Sequence, residues 1–394
     1  MGAVRTALPR TVLVLGLVSL LNDAASEMIT PLLPIFLTAT LGAGPAIVGL
    51  VEGLAEATSS VLKLLAGRLA DRGVPAKRLV LGGYGLANAA RPLIGLAAGW
   101  SAVLALRFLD RVSKGLRSAP RDALIAAAVG PEQRGRAFGF HRSMDHFGAV
   151  IGPLLAFALL SMQVDLKHVF LASVVPGVLV MMLLWFGLPH DGPRATLPPA
   201  ARLEWRALHG RLRAMIVAAG VLALASVPEA FVVLWAHDRG LAVAWVPLVW
   251  AAASLVKMGI AYPAGVVSDR IGRLPLLLGG WAARVAVLLA LALAAPGALG
   301  IWVLFLAYAA TLAVTEPAER SLVGDHADAG ERGTAFGLYH LASGLMALPG
   351  AVVFGIVWER WGSGAAFAAA AVVTAAGATC LVWLGRGARS TPAA

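Results

Sequence analysis

GRLADRGVPAKR at residues 67–78 and GVVSDRIGRLPL at residues 265–276 share an Asp-Arg pair set between glycines, with Asp71 and Asp269 separated by 198 residues. That spacing is half of a 394-residue chain. It recurs downstream, where QRGRAFGF (133–140) aligns with ERGTAFGL (331–338) and Arg134 stands 198 residues before Arg332. Two independent pairs at one offset point to duplication of a six-helix unit.

The composition says what surrounds such units. The chain is 59% hydrophobic and 13% charged, with a mean hydropathy of +0.81. Long apolar stretches recur from Thr11 to Leu384, too many for one water-soluble core to bury. The solvent is therefore lipid, and at about 20 apolar residues per crossing the chain has room for about a dozen spans. Apolar runs and their breakers place these at 11–41, 45–69, 79–99, 101–124, 136–160, 167–188, 212–236, 244–267, 274–296, 299–319, 334–357 and 364–385. The polar stretch 189–210 divides them into two sets of six, giving domains at 1–188 and 211–394 with a linker between. The expected fold is an all-α integral membrane protein of twelve transmembrane helices in two pseudo-symmetric bundles.

Charge sets the orientation. Most Lys and Arg fall in alternate connections, namely the N-terminus, 70–78, 117–136, 189–213, 268–273, 320–333 and the tail. The opposite connections hold little beyond Lys167, Arg239 and Arg360. By the positive-inside rule both termini and the linker are cytoplasmic. The net charge of +11 thus reports topology, because a nucleic-acid binder gathers its basic residues on one solvated face. Arg5 and Arg10 before an apolar run imitate a signal peptide, but the hydrophobic segment runs on to about Leu41 and reads as the first span. Cys380, the single cysteine, lies in an apolar run as a small filler, so neither a disulfide nor a thiolate metal cluster is expected.

The paired motifs resemble those of the major facilitator superfamily, whose signature between spans two and three, and again between eight and nine, is Gly-x-x-x-Asp-Arg-x-Gly-Arg. Gly265, Asp269, Arg270, Gly272 and Arg273 match it in full. Gly67, Asp71 and Arg72 match the first copy, which then departs: Gly73 comes a residue early, Val74 takes the glycine position, and the basic pair moves to Lys77 and Arg78. Arg111, Lys114 and Gly115 resemble the family's fourth-span Arg-x-x-Gln-Gly element with Lys in place of Gln. Gly148, Gly152 and Pro153 resemble its fifth-span Gly-x-x-x-Gly-Pro element, associated with exporters, although small-x-x-x-small spacing also serves plain helix packing. The resemblance implies a two-domain, alternating-access secondary transporter with a central cavity and with Asp-Arg motifs at a cytoplasmic gate.

Inside such a protein the informative residues are charges within spans. On a helical wheel Arg107, Asp110, Arg111, Lys114, Arg117, Arg121 and Asp122 fall within about 140°. Counting ~1.5 Å per residue from Ser101 puts Arg107 ~9 Å deep, Asp110 and Arg111 ~14 Å and Lys114 ~20 Å, with Arg117 and Arg121 at the cytoplasmic edge. Each mid-span charge costs roughly 2.5–3.5 kcal/mol, so the deeper four must face water or partners. Asn22, Asp23, Ser26 and Glu27 share one side of span one; Asn88 and Arg91 share a face of span three. His141, Arg142, Asp145 and His146 share a polar side of span five. The second half is sparser, with Glu229, Lys257, Arg284, Glu316, Glu319 and Arg320. Glu52, Glu56 and Lys63, and Glu319 with Arg320, read as mutually satisfying pairs.

Carboxylates that lose and regain protons suit coupling to a proton gradient, and Asp23, Glu27, Asp145 and His146 are the candidates. Arginine does not titrate usefully and suits holding a carboxylate or an anionic substrate. The substrate-cavity set is Asn22, Asn88, Arg91, Arg107, Asp110, Arg111, Lys114, Arg142, Glu229, Lys257 and Glu316. No Gly-x-Ser-x-Gly elbow, phosphate loop or His-Glu-x-x-His zinc motif occurs, so enzyme chemistry has no motif support and no cofactor or metal is expected. A channel or lipid-handling protein stays open as another class. The expected partners are a small molecule, protons and the lipid bilayer, with no nucleic acid, for a monomer in a bacterial cytoplasmic membrane. Two readings remain: a proton-coupled exporter of amphipathic, drug-like compounds, or a carrier of an organic anion or metal chelate.

Overall fold

The computed structural model describes residues 8–70, 76–130, 133–188, 205, 210–326 and 332–387. Asp71 and Arg72 of the first motif lie outside the described residues, as does the linker 189–210 apart from Trp205 and Gly210. The side chains of Lys63, Arg320 and Cys380 lie outside them too.

All regular structure among the described residues is helical. The first half contains α1 (Arg10–Glu27), α2 (Pro45–Ala70), α3 (Ala76–Leu93), α4 (Trp100–Ala127), α5 (Arg134–Ser161) and, after a short helix Leu166–Ala172, α6 (Val174–Gly187). The second contains α7 (Gly210–Leu224), α8 (Glu229–Asp238), α9 (Val246–Ile271), α10 (Arg273–Leu293), α11 (Ala298–His326) and α12 (Arg332–Gly387). The 198-residue offset carries over from motifs to helix ends. Shifting the bounds of α4 by 198 gives 298 and 325, against the observed Ala298–His326; shifting α3 gives 274 and 291, against Arg273–Leu293.

Two expected spans are each broken, for the same reason. Instead of running from 11 to 41, α1 stops at Glu27; Pro31 and Pro34 interrupt the path, and the chain resumes through Leu33–Ile35 and a π-helical turn at Phe36–Thr40. The expected span 212–236 divides into α7 and α8, with Pro228 at the N-cap of α8. Proline lacks the amide proton that a continuous helix needs and clashes with the preceding turn. Glu27 shifted by 198 is residue 225, one past the end of α7, so the interruption itself is repeated. Within α12, Gly362 at φ 85° and ψ 168° separates two helical stretches, matching the boundary expected between 357 and 364. Glycine is suited to this left-handed φ because it has no Cβ.

Eight helices among the described residues are long and apolar enough to cross a membrane: Pro45–Leu62, Arg134–Ser161, Leu166–Gly187, Ile216–Asp238, Val243–Ile271, Arg273–Leu293, Ala298–Glu319 and Phe336–Thr379. The expected first, third and fourth spans are not among them. The cause is charge density: α1 carries Arg10, Asp23 and Glu27, α3 carries Lys77, Arg78 and Arg91, and α4 carries seven ionisable residues. Many large apolar side chains face outward, including Phe186, Leu293 and Val372, as lipid requires and water disfavours.

Contacts group the described parts of Met1–Leu32 with those of Leu62–Ala200, and of Leu33–Val61 with those of Ala201–Ala394. The first unit has an aliphatic core of Val12, Leu15, Val18, Val80, Ile125 and Leu184 around Tyr84. In it α5 lies directly on α1. A Cβ added to Gly148 would stand 2.3 Å from the Leu20 carbonyl oxygen, and one on Gly152 would stand 2.4 Å from that of Ala24. Only glycine permits that approach. The second unit is cored by aromatics, with Phe231, Phe354, Trp358 and Phe367 in mutual contact at centroid separations of 4.6–6.0 Å.

Candidate functional site

In the first unit α3, α4 and α1 converge on Asp110. Arg91 donates from Nε to Asp110 Oδ1 at 2.9 Å, and from Nη1 to Asn22 Oδ1 at 2.9 Å and to the Asn22 carbonyl at 3.1 Å. The Arg107 and Arg111 guanidinium groups lie 3.9 and 3.8 Å from Asp110 Oδ2. Arg91, Arg107 and Asp110 are all at most 5% exposed, so the carboxylate serves as shared counter-ion to groups that lipid would not tolerate unpaired. Ser113 donates to the Asp110 carbonyl at 2.5 Å, where α4 bears its densest charge.

Arg117, expected at the cytoplasmic edge, is instead buried, with its guanidinium 4.5 Å from the centre of the Tyr84 ring and 3.4 Å from Ser113 Oγ. The wheel placed it on the right face, but depth counting could not see that Tyr84 on α3 covers it. Arg121 pairs with Asp122 at 2.9 Å. Lys114 sits on the exposed side of α4.

A second polar group follows the α1–α5 seam. The Ser19 hydroxyl donates to Asp145 Oδ1, and Asn22 Nδ2 donates to Asp23 Oδ1 at 3.0 Å. Ser19 and Asp23 are one turn apart on α1, and Asp145 precedes Gly148, whose missing Cβ would touch Asp23 Cβ at 3.1 Å. The geometry therefore brings the two carboxylates together along one line of contact. His141 Nδ1 is 3.7 Å from Asp145 Oδ2, and Arg142, largely exposed, is 3.8 Å from the same oxygen. His141 Nε2 and Asn88 Oδ1 are buried without a hydrogen-bond partner among the described residues, leaving each able to accept water or ligand. Glu27 is half-buried beside Gly152, and His146 is exposed, away from the buried face of α5.

The second unit encloses a cavity of about 290 Å³, lined by Glu56, Trp281, Arg284, Glu319, Tyr339 and His340 among others. Arg284 is turned toward α11, donating to Thr315 Oγ1 at 2.6 Å and the Thr311 carbonyl at 3.3 Å. Glu319 accepts from Trp281 Nε1 at 3.4 Å and from the Tyr339 hydroxyl at 3.3 Å. Trp281 and Tyr339 escaped the sequence reading, which followed charges. The available signals were Trp281 one turn before Arg284, and the polar pair Tyr339-His340 inside an apolar span.

Glu229 and Lys257 form an ion pair at 2.9 Å, bridging α8 and α9, with the ammonium 5.6 Å from the Trp250 ring centre. Glu316 lies on an exposed face of α11, and neither it nor that pair lines the cavity. At the α9–α10 junction Gly272 has φ +94°, while Asp269 and Arg273 pair across it and Arg273 reaches Ser268 Oγ at 3.3 Å. Arg270 is exposed, and Gly265 has open space where a side chain would stand. The charged pair of this motif thus braces its own turn.

Comparison with known proteins agrees with this architecture. The sequence pattern of the Major Facilitator Superfamily matches residues 15–351. An MFS-type transporter of Methanocaldococcus jannaschii is 30% identical over 359 residues, 89% of each chain. The multidrug resistance protein MdtH of Salmonella typhi is 25% identical over 334 residues, 83% of this chain and 80% of that one. Among solved structures, the nucleoside transporter NupG has a TM-score of 0.80 at 13% identity, covering 95% of this chain and 99% of that one, a likeness of fold. With its repeated half, its membrane-crossing helices and this coverage, the chain belongs to the Major Facilitator Superfamily.

Proposed function

We propose that the protein is a proton-coupled secondary transporter that exports small amphipathic molecules by alternating access. The observation that carries the coupling is the pair Asp23 and Asp145, set together where α1 and α5 touch backbone to backbone. Repulsion between two such carboxylates is relieved by one proton, whereas Asp110, already neutralised by Arg91, has little use for one. His141, with Nε2 open to water, offers a relay beside Asp145. The name of the Salmonella relative supports export of drug-like compounds.

The proposal takes the bundles as 1–188 and 211–394, joined by the cytoplasmic linker 189–210, with both termini cytoplasmic in a bacterial inner membrane. Twelve spans follow when α1, α3 and α4 join the eight apolar helices and Phe336–Thr379 is divided at Gly362. The buried arginines around Asp110 favour a second reading, a carrier of organic anions, for which Arg111 is the contact to test.

The experiment is pH-driven transport in proteoliposomes. Asp23→Asn and Asp145→Asn are each expected to lower gradient-driven flux at least 10-fold while leaving substrate exchange at equal pH in place. Intact gradient-driven flux in both variants overturns the coupling.

A further inference from the structure

We infer that the cavity of the second unit is a recognition site for an amphipathic monocation, with Glu319 as its charge-selecting residue. The inference deepens the transport reading and rests on it for function, although binding is testable alone. The cavity, about 290 Å³, is near the lower end of small-molecule pockets, which combine apolar and aromatic walls with a few polar groups. Here the walls are Leu222, Leu277, Ala347 and the buried ring of Trp281, with Glu56 and Glu319 as the acids.

What separates this cavity from the Asp110 site is the chemistry of the partners. Among the described residues Glu319 accepts only from neutral donors, an indole N–H at 3.4 Å and a phenol at 3.3 Å, one on each oxygen. Both bonds are long, and a carboxylate has about four lone-pair positions, so Glu319 keeps capacity for a further donor. The guanidinium in the cavity wall, Arg284, is committed to Thr315 and to the Thr311 carbonyl rather than to an acid. Two carboxylates against one such guanidinium leave the lining acidic with His340 neutral. A ligand ammonium or delocalised cation entering it meets a carboxylate with one charge to offer and the face of Trp281, while its apolar body fills the aliphatic side. An anion entering the same space meets two carboxylates.

Equilibrium binding of the fluorescent cation acriflavine to the detergent-purified full chain tests this, with fluorescein as an anionic comparator of related shape. Saturable binding of acriflavine, weakened at least 10-fold in Glu319→Gln and 3–10-fold in Tyr339→Phe, with fluorescein failing to compete, is the expected result. Tyr339→Phe keeps the ring and removes only the hydroxyl, so it decides the matter should Glu319→Gln not fold. Absence of acriflavine binding, unchanged affinity in the folded variants, or equal competition by fluorescein overturns the assignment. Binding without flux in proteoliposomes would sink the transport reading and keep the site; proton-driven flux of another solute without acriflavine binding would do the reverse.

Discussion

In the first unit the Asp110 carboxylate is met by guanidinium groups of Arg91, Arg107 and Arg111, whereas in the second the Glu319 carboxylate is met by an indole and a phenol. Both acids belong to corresponding helices of the repeat, α4 and α11, yet their surroundings assign them opposite work. Charged partners satisfy a carboxylate and commit it to structure; neutral donors orient it and leave its charge for something else. The duplication preserved the helices, and the side chains that surround each acid then diverged.

The sharpest way to break this comparison is Asp110→Asn. It strands the buried arginines and is expected to destabilise the protein by ~3–5 kcal/mol, read as lower thermal stability in detergent. Glu319→Gln should change thermal stability far less. Equal losses in the two variants would mean that both acids are structural. Next in size, Gly152→Val drives a side chain into the Ala24 carbonyl and is expected to cost about 1–3 kcal/mol, with a corresponding fall in melting temperature. The smallest effect is Asp269→Asn, whose pair with Arg273 is formed by a side chain 69% exposed. Its stability change should stay below about 1 kcal/mol, and a variant that melts like wild type but transports slowly would place the motif in gating.

Much of the architecture was legible in the sequence because hydropathy and the repeat are properties of the chain alone. The ends of α4 and α5 fall within a few residues of the expected 101–124 and 136–160, and Gly272 takes the left-handed conformation that its place in the motif suits. Helix breaks were less legible. Pro31, Pro34 and Pro228 were visible, but an apolar run on both sides of a proline reads as one span when hydropathy alone is followed.

The charge face of α4 could be drawn on a wheel, including Arg107, Asp110 and Arg111, but a wheel carries no neighbours. It could not show that Arg91, nineteen residues away, closes on Asp110, or that Tyr84 shields Arg117. The cavity was missed for the same reason, since Glu319 was matched to adjacent Arg320 while its described partners come from α10 and α12. Gly148 and Gly152 resembled an exporter element and serve, in this fold, as the surface on which α5 meets α1.

That surface has a mechanical meaning. Where side chains separate two helices, rotamer changes give the pair slack; where glycine Cα atoms rest on carbonyl oxygens there is none, and α1 and α5 behave as a single stiff plank. Asp23 and Asp145 are fastened to opposite sides of its joint. Their spacing is then a constant of the molecule, and the variable left to them is electrical.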